Sequence, residues 1–379
     1  MTKRKIRVGI LFGGKSGEHE VSLTSAQGIM NAIDKEKYQV VPIGITKEGR
    51  WMVGGDPLKA LRQAADMPAR LAALADQGGQ SPETVLVPLE AGHSTLSTAS
   101  ASLQLDVIFP VLHGPHGEDG TVQGLLELTG LPYVGAGVAA SALAMDKAVA
   151  KDIFRSHGLP VLAYRVVLRK AWEAEPARVI AACEAALSYP MFAKPVNLGS
   201  SVGISKARNR EELMAGLDEA ARFDRKLLVE QGVQAREIEI SVLGNDDPLV
   251  SVPGEVIPSR EFYSYAAKYI DNASELLIPA PISPEQTREV QRIALAAFKA
   301  VDAAGMARVD FLMDKTTGAI WLNEMNTIPG FTPISMYPKL WEASGIGYTE
   351  LIDRLIELAF ERHQDQGRSA TAFDVSSAT

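Results

Sequence analysis

The chain has 379 residues, a formal net charge of −8 and a sequence pI near 5.4. Its length exceeds what one ordinary hydrophobic core supports and predicts two or three domains. Hydrophobic residues make up 46% of the sequence and charged residues 22%, which is typical of a folded globular protein. The acidic balance argues against a general binder of nucleic acid or anionic membranes, so we expect neither as a partner.

Cysteine usage and the N-terminal composition bear on the compartment. Cys183 is the only cysteine in the sequence, which excludes an internal disulfide framework and a thiolate zinc site, and we expect it to be a packed, inert thiol. The basic start at residues 1–14 carries an apolar run too short for a secretory signal. No stretch approaches the roughly 18 apolar residues of a membrane span. We therefore expect a cytoplasmic protein.

The first third of the chain alternates apolar strand patterns with helical ones. Residues 6–12, 38–45 and 105–112 are predicted strands. This alternation predicts a parallel sheet with crossover helices. The segments GGKSGEHE (13–20) and HGPHGEDG (113–120) follow the first and third strands, at the strand ends where such sheets bind ligands.

After the first third of the chain, the alternation of strands and helices begins again at about residue 140 and at residue 234. Residues 57–104 are rich in Ala, Gln and Ser and predict an insertion with a helix, one strand at ETVLVPL and a long loop. Single helices are predicted across AMDKAVAKDIFRSHG and through 172–187, and two amphipathic helices at 284–303 and 348–362. The predicted units are an N-terminal α/β domain at 1–139, a central domain at 140–233, a C-terminal domain at 234–363 and a disordered tail at 364–379.

One motif is misleading. Residues 9–16 match the G-x-x-x-x-G-K-S pattern of a phosphate-binding P-loop. Such a loop must expose consecutive amides, yet Ile10, Leu11 and Phe12 belong inside a strand. Glu18 would also repel phosphate at the start of the following helix. We reject the P-loop interpretation.

The segment MFAKPVNLGSSVG (191–203) is a stronger anion-binding candidate. Lys194 ends a predicted strand immediately before the flexible loop Gly199–Gly203, whose amides and hydroxyls can donate to an oxyanion. A second cation, Lys147, lies in the helix-starting AMDK, and two cations can share a polyphosphate. The alternative is a plain turn between a strand and a helix.

The segment LLVEQGVQAREIEISV carries three acidic residues, Glu230, Glu237 and Glu239. Backbone groups between Glu230 and Val233 could bond an adenine edge, and a carboxylate could accept from ribose hydroxyls. Exposed glutamates on a strand are the alternative.

The strongest signal lies in GMARVDFLMDKTTGAIWLNEMNTIPGFT (305–332). Two predicted strands flank a turn and form a hairpin. Because side chains alternate, Arg308 and Asp310 share a face of the first strand, and Glu324 and Asn326 share a face of the second. We expect these pairs diagonally opposite each other, with two carboxylates and an amide oxygen offered to Mg²⁺ and Arg308 near developing negative charge.

A hydrophilic sheet face is the alternative at this hairpin. Apolar residues that include Val309 and Trp321 cover its reverse side, which a solvated face would not need. Clustered acids without nearby lysines would also be costly unless cations bind. The sequence therefore predicts a metal site.

Residues 259–274, SREFYSYAAKYIDNAS, are rich in Tyr and carry Lys268. A mobile aromatic loop of this kind can close over a site and exclude water. A tyrosine-rich strand is the alternative.

Together these segments resemble the D-alanine–D-alanine ligases of the ATP-grasp superfamily over nearly the whole chain, except 57–104 and the tail. The resemblance is carried by GGKSGEHEVSLTS, VLHGPHGEDGTVQG, AMDK, KPVNLGSSVG, VEQGVQAREIEISV, FYSYAAKY, RVDF and NEMNTIPGFTPISMYP. It implies an α/β fold, α+β in its ATP-binding part, in which an N-terminal parallel-sheet preATP-grasp domain precedes the two-part ATP-grasp fold. Leu198 stands where some relatives carry an acidic residue, which puts no role in doubt.

The resemblance also implies ligands: D-alanine and ATP as substrates, two Mg²⁺ (or Mn²⁺) ions, and a homodimer. The implied nucleotide-binding residues are Lys147, Lys194, Ser200, Ser201, Glu230, Val233, Glu237, Lys268, Asn323 and Glu324. The implied metal ligands are Asp310, Glu324 and Asn326. The implied substrate-binding residues are Glu18, His113, Arg308, Gly330 and Ser335, and the catalytic residues are Glu18, Ser200, Lys268, Tyr269, Arg308 and Gly330.

The implied reaction makes D-alanyl-D-alanine for peptidoglycan through a D-alanyl phosphate. Relatives that make a D-alanyl-D-lactate ester are the nearest alternative, but they carry a histidine-containing variant of Lys268-Tyr269, so these residues favour the dipeptide. A non-catalytic ATP sensor would not need Arg308 as an oxyanion donor. A dinucleotide oxidoreductase is disfavoured because no G-x-G-x-x-G follows the first strand.

Overall fold

The computed structural model describes residues 4–65, 83–86, 95–98, 102–258 and 275–369, which form three sheets with flanking helices. The N-terminal sheet has the order β6-β5-β4-β3-β2-β1-β7. Its strands are β1 (Ile6–Gly13), β2 (Tyr38–Ile45), β3 (Trp51–Val53), β4 (Glu83–Leu86), β5 (Thr95–Thr98), β6 (Ser102–Gln104) and β7 (Val107–Pro110), and its helices are α1 (His19–Ala32), α2 (Pro57–Ala65) and α3 (Thr121–Thr129).

The predicted parallel sheet is confirmed only for the three strands at one end of the sheet. β1 pairs in parallel with β2 and β7, whereas β3 to β6 extend the sheet with antiparallel pairs. The prediction of one strand in 57–104 was therefore incomplete. β5 and β6 are short and rich in Ser and Thr, without the apolar alternation that marks a strand.

The second sheet, β10-β9-β11-β8, is antiparallel. Its strands are β8 (Tyr164–Leu168), β9 (Met191–Pro195), β10 (Ser205–Ala207) and β11 (Lys226–Gln231), and the helices before and around it are α4 (Val138–Met145), α5 (Lys147–Ser156), α6 (Arg169–Ala174), α7 (Pro176–Ala186) and α8 (Arg210–Phe223). Cys183 is buried in the core of this sheet, and burial raises the pKa of its thiol to about 11, which confirms a packed thiol.

Two helices predicted as continuous are broken, each by a capping residue. Asp146 separates α4 from α5: its backbone is extended, and its carboxylate accepts a hydrogen bond from Val149 N at 3.0 Å. Glu175 separates α6 from α7, and Pro176 begins α7 at the position where a missing N–H costs nothing.

The third sheet has the order β15-β14-β12-β16-β17, with β13 paired to β12, and its pairs are antiparallel. Its strands are β12 (Ala235–Gly244), β13 (Leu249–Val250), β14 (Gly254–Ile257), β15 (Glu275–Leu277), β16 (Gly305–Asp314) and β17 (Ile320–Asn326), and its helices are α9 (Pro284–Ala300), α10 (Met336–Ala343) and α11 (Tyr348–Gln366).

Two predictions for this last part of the chain need correction. Helix α10 was not predicted because Pro338 interrupts its pattern, but the proline sits in the first turn, where its missing N–H breaks no helical bond. Helix α11 runs to Gln366, so residues 364–366 are helical and not part of a disordered tail. None of the helices in the ranges described above is long and apolar enough to span a membrane.

The hydrophobic cores join the predicted domains. One core combines α1 and β1 with α11, through residues such as Ile29, Phe12 and Leu355. Another combines α4 and α5 with the third sheet, where Phe154 packs in the same cluster as Phe298. Helices α4 and α5 therefore share a core with the C-terminal part, although the predicted boundary assigns them to the central domain. The domain boundaries themselves stay predictions.

Candidate active site

A cavity of about 380 Å³ lies between the second and third sheets. Its volume falls in the range of about 300–1,000 Å³ that is usual for small-molecule sites. The predicted nucleotide-binding residues that line it are Lys147, Lys194, Ser200, Ser201, Glu230, Val233, Glu237, Asn323 and Glu324. Asp310 lines it as well. The structure therefore brings these residues together, while Lys268 and Tyr269, with the whole predicted lid at 259–274, lie outside the described residues.

The Gly/Ser loop covers one side of this cavity and also contacts the N-terminal domain. Ser200 Oγ donates a hydrogen bond to Glu18 Oε1. Gly199 approaches the same carboxylate so closely that an added Cβ would lie 3.0 Å from Glu18 Oε2. Ser200 and Ser201 have φ of 52° and 58°, a left-handed conformation that residues other than glycine rarely adopt and that is concentrated at functional sites. The family resemblance implies that Ser200 and Tyr269 together link the lid to Glu18; the structure shows the Ser200 contact, and Tyr269 lies outside the described residues.

The base of the loop is fixed by a residue that the sequence patterns did not single out. Asp224 Oδ2 accepts hydrogen bonds from the backbone N–H groups of Val196 and Asn197, at 3.1 and 2.8 Å, and from the Asn197 side chain at 2.9 Å. Lys147 Nζ donates to the Leu198 carbonyl at 2.9 Å. A lone Asp between a helix and a strand gives no sequence signal of this role.

The two predicted phosphate-binding lysines are engaged by acidic side chains in this structure. Lys194 Nζ lies 2.5 Å from Glu230 Oε2, and Lys147 Nζ lies 3.3 Å from Glu324 Oε2. A third lysine, Lys151, lies 2.5 Å from Glu230 Oε1 and was missed in the sequence. The sequence feature that could have indicated Lys151 is its position four residues after Lys147, which places both lysines on the same face of α5.

These contacts change the interpretation of Glu230. Both of its carboxylate oxygens are paired with lysines, so the side chain is not an open acceptor for ribose hydroxyls; a backbone contact to adenine from 230–233 stays a prediction. Burial alone would raise the pKa of Glu230, but Lys151 and Lys194 outweigh burial and lower that pKa. The carboxylate is therefore anionic at neutral pH.

The strand pair β16–β17 has a tighter arrangement than predicted. Arg308 stands directly opposite Asn326 and Asp310 directly opposite Glu324, with a register shift after Asp310. The pairs are therefore cross-strand neighbours, not diagonal ones, because the bulge between Asp310 and Phe311 offsets the register by one residue.

Cations already accompany these acids. Arg308 donates to both oxygens of Asp310, each at 2.7 Å, and its Nε lies 2.9 Å from Glu239 Oε2. Burial lowers the pKa of Arg308, but Asp310 and Glu239 outweigh burial and hold the pKa well above its ordinary value. With Lys147 beside Glu324, the expectation that these acids lack nearby lysines was wrong. Arg308 comes from the same strand as Asp310, whereas the fold brings Lys147 from the distant helix α5.

The oxygen atoms of Asp310, Glu324 and Asn326 could form a magnesium site only if a bound phosphate or water completed the coordination. Within the described residues, no group of three or more His, Cys, Asp or Glu side chains could hold a metal ion. Asp310 and Glu324 nevertheless face each other across the strand pair and line the cavity. The Asn326 side-chain Nδ2 donates a hydrogen bond to Asp310 Oδ2 at 3.1 Å. Two carboxylates and an amide oxygen suit Mg²⁺, which commonly completes its coordination with phosphate oxygens and water. The residues present therefore fit the predicted metal.

The loop after β17, residues 327–335, carries Gly330 and Ser335 and is bonded to the N-terminal domain. His113 Nδ1 lies 3.0 Å from the Ile328 carbonyl, and the Ile328 N–H donates to Glu118 Oε1 at 3.1 Å. Ser335 Oγ accepts from the Thr332 N–H at 3.1 Å. His113 is buried, and burial lowers the pKa of its imidazole.

Glu118 was not assigned a role from the sequence, although it lies in HGPHGEDG at a strand end. Its carboxyl accepts from the Gly114 N–H at 2.8 Å as well as from Ile328. Burial, followed by the nearby charge of Glu18, raises the pKa of Glu118 to about 8. A cavity of about 20 Å³ beside it is also lined by Lys147, Gly199 and Glu324, which line the larger cavity as well. The two cavities therefore adjoin, and Thr327 brings the start of the 327–335 loop to the smaller one, whereas Gly330 and Ser335 line neither.

The two sheets around this cavity, with the preceding α/β domain, define an enzyme of the ATP-grasp fold. Family models described as "D-ala D-ala ligase N-terminus" and "D-ala D-ala ligase C-terminus" match residues 7–136 and 153–357. The chain belongs to the D-alanine–D-alanine ligase family.

Individual relatives agree over nearly the full length. A D-alanine–D-alanine ligase of Heliobacterium modesticaldum is 50% identical over 97% of this chain and 98% of its own. One of Thermoanaerobacter sp. is 52% identical over 97% and 99%. The solved D-alanine–D-alanine ligase of Coxiella burnetii has a TM-score of 0.83 at 37% identity and covers 100% of both chains. The VanG D-Ala:D-Ser ligase of Enterococcus faecalis has a TM-score of 0.82 at 35% identity over 94% and 100%.

Proposed function

We propose that the chain joins two D-alanines into D-alanyl-D-alanine and converts ATP to ADP and phosphate. The observation that carries this proposal is the convergence of the family's phosphate-binding and acid-bearing segments on one cavity, with Arg308, Asp310 and Glu324 in its strand pair. The relatives at about 50% identity, named for this reaction, support the substrate. The dipeptide is a precursor for peptidoglycan.

In the first step, a carboxylate oxygen of one D-alanine attacks the γ-phosphorus of ATP, and the bond to ADP breaks. Lys147 and Lys194 bind the phosphates beneath the Gly199–Gly203 loop, where cations and loop amides neutralise the charge of ATP. Glu18 holds the ammonium of this D-alanine, near His113. Glu237 binds the ribose hydroxyls, and the backbone of Val233 binds adenine. The product is an acyl phosphate.

In the second step, the ammonium of the other D-alanine loses a proton to water and the amine attacks the acyl carbonyl; the intermediate then loses its second proton to the phosphate as the C–O bond to phosphate breaks. The tetrahedral intermediate carries an oxyanion, which Arg308 and the Gly330 N–H stabilise. Ser335 binds the carboxylate of the second D-alanine, and Lys268 neutralises the phosphate that leaves. Tyr269, with Ser200, links the closed lid to Glu18.

Asp310, Glu324 and Asn326 would hold two Mg²⁺ or Mn²⁺ ions. Bound there, these ions would supply charge neutralisation on the ATP phosphates. Because Arg308 and Lys147 already pair with these acids, incoming ions would have to share or displace those two contacts.

We also propose a homodimer in the cytoplasm. Sedimentation velocity of the purified protein tests the dimer: a species of twice the chain mass supports it, and a monomer at micromolar concentration contradicts it.

Product identification tests the reaction. The chain is incubated with Mg-ATP, D-alanine and equal amounts of D-lactate and D-serine, and the products are measured by mass spectrometry. We expect D-alanyl-D-alanine and equimolar ADP. A predominant D-alanyl-D-lactate ester or D-alanyl-D-serine would assign a different acceptor, and no condensed product would overturn the proposal.

A further inference from the structure

A buried group of three charged residues lies at the cavity of about 380 Å³ between the second and third sheets. Lys151, Glu230 and Lys194 expose 1%, 3% and 9% of their side chains. Each glutamate oxygen pairs with one lysine at 2.5 Å. Lys194 and Glu230 line the cavity, whereas Lys151 is behind them, on α5. The three residues carry one surplus positive charge in a site shielded from water.

Lys151 also reaches the strand that carries the proposed metal ligand. Its Nζ donates to the Asn323 carbonyl at 3.1 Å, one residue before Glu324. The lysine therefore contacts β11 of the second sheet and β17 of the third, which form the two sides of the cavity. Burial lowers the pKa of Lys151, and the charge of Glu230 opposes that shift.

We propose that Lys151 is a positioning residue for the nucleotide site, which keeps Lys194 available to phosphate by neutralising Glu230 from behind. The proposal rests on the function proposed above, in which Lys194 binds ATP phosphates. Lys151 touches neither substrate nor metal in this account, and it acts through Glu230 and Asn323.

The physical reason is the cost of a buried, unpaired charge. For Lys194 to bind a phosphate, it must leave Glu230 or share its protons. An anionic carboxylate left unpaired in the interior is strongly destabilising. Lys151 removes that cost because one oxygen of Glu230 stays paired after Lys194 moves. Among the described residues, removing Lys151 leaves Lys194 as the one lysine paired with Glu230, and ATP needs that lysine.

The test compares nucleotide binding by the wild type with that by K151M, in which Met keeps the length and removes the charge. We expect the Kd for ADP, measured by calorimetry with the full chain, to rise by about tenfold or more. The KM for ATP should rise with it, and the KM for D-alanine should change little. K170M is the matched control, because Lys170 is exposed on α6, and it should bind ADP like the wild type.

A second variant separates this role from a merely structural one. In K151M/E230Q the buried carboxylate is gone, so Lys194 is released again, and ADP binding should recover relative to K151M. A structural role predicts that the double variant binds no better than K151M. That result, or unchanged ADP binding in K151M, would overturn the proposal. If K151M does not fold, K151Q replaces it, since its amide can still donate to the Asn323 carbonyl.

The measurement of ADP binding does not depend on which molecule accepts the D-alanyl group. A wild type that binds ADP but forms no dipeptide would refute the proposed function and leave the Lys151 test decisive. A wild type that binds no ADP would overturn the role of Lys151.

Discussion

The hydroxyl of Ser200 donates a hydrogen bond to the carboxylate of Glu18, 182 positions earlier in the chain. This bond joins the Gly/Ser loop of the second sheet to the segment that follows β1 in the N-terminal sheet. It places the residue proposed to hold the substrate ammonium against the loop proposed to cover the ATP phosphates. A single hydrogen bond therefore connects the proposed D-alanine site with the proposed phosphate-binding loop.

Removing this contact should slow the reaction without unfolding the protein. A hydrogen bond to a charged group contributes about 1.5–3 kcal/mol, so we expect Ser200→Ala to lower kcat/KM for D-alanine by about tenfold to a hundredfold. The measurement is steady-state ADP release. Ser156→Ala is the control, because its hydroxyl bonds only its own helix and neighbouring His157 in the described structure. Equal activity of S200A and S156A would show that the bond has no part in turnover.

Substituting Glu324 tests the metal assignment. Glu324→Gln removes one carboxylate from the strand pair and leaves Lys147 without its acidic partner, while the hairpin register persists. Because metal ions contribute several kcal/mol to transition-state stabilisation, we expect kcat to fall by about 100-fold or more. A titration of activity against Mg²⁺ should also shift to higher concentration.

The control for this experiment is Glu342→Gln, an exposed glutamate on α10. Thermal unfolding should show both variants folded. Full activity of E324Q at ordinary magnesium would contradict the site.

Arg308→Lys tests the oxyanion role. Lysine keeps a positive charge beside Asp310 but loses the planar fork that bonds both carboxylate oxygens. Loss of one oxyanion donor typically costs about 10²–10³ in kcat, and we expect a decrease of that order with a smaller change in ADP affinity. Calorimetry of ADP binding and steady-state kinetics separate the two effects. A variant that lost ADP affinity but kept kcat would place Arg308 in nucleotide binding instead.

Glu118 predicts a pH dependence of stability. Its pKa is raised from 4.5 to about 8 in the folded state, so between these values the folded protein binds more protons than the unfolded chain. The contribution of this group to the free energy of unfolding is therefore full below about pH 4.5 and is lost as the pH rises through about 8. Melting temperatures from pH 5 to 9 should fall less in Glu118→Gln than in the wild type. Parallel curves would mean that the pKa of this carboxyl is not raised.

Sequence reasoning succeeded where local pattern determines structure. The β16–β17 hairpin and the loop of Ser200 follow from alternation and glycine content, and both are confirmed. The cap at Asp146 was not recognised, so α4 and α5 were predicted as one helix. Sequence reasoning also failed where partners come from distant segments. Nothing near Glu230 in sequence indicates two lysines, and nothing near Glu324 indicates Lys147.

The two corrected predictions about the acids have the same origin. The charge environment of Glu230 and Glu324 depends on how α5, which carries Lys151 and Lys147, packs against the second and third sheets, and a single strand's sequence does not contain that information. The exact register of β16 and β17 likewise depends on a bulge after Asp310 that alternation alone cannot reveal.

The acyl phosphate is the central claim of this account, and an isotope experiment tests it most directly. D-alanine carrying ¹⁸O in both carboxylate oxygens is converted with Mg-ATP, and the phosphate and dipeptide are weighed by mass spectrometry. If a carboxylate oxygen attacks the γ-phosphorus and leaves with the phosphate, each D-alanyl-D-alanine formed is accompanied by one phosphate containing a heavy oxygen. Dipeptide formed together with unlabelled phosphate would contradict the account.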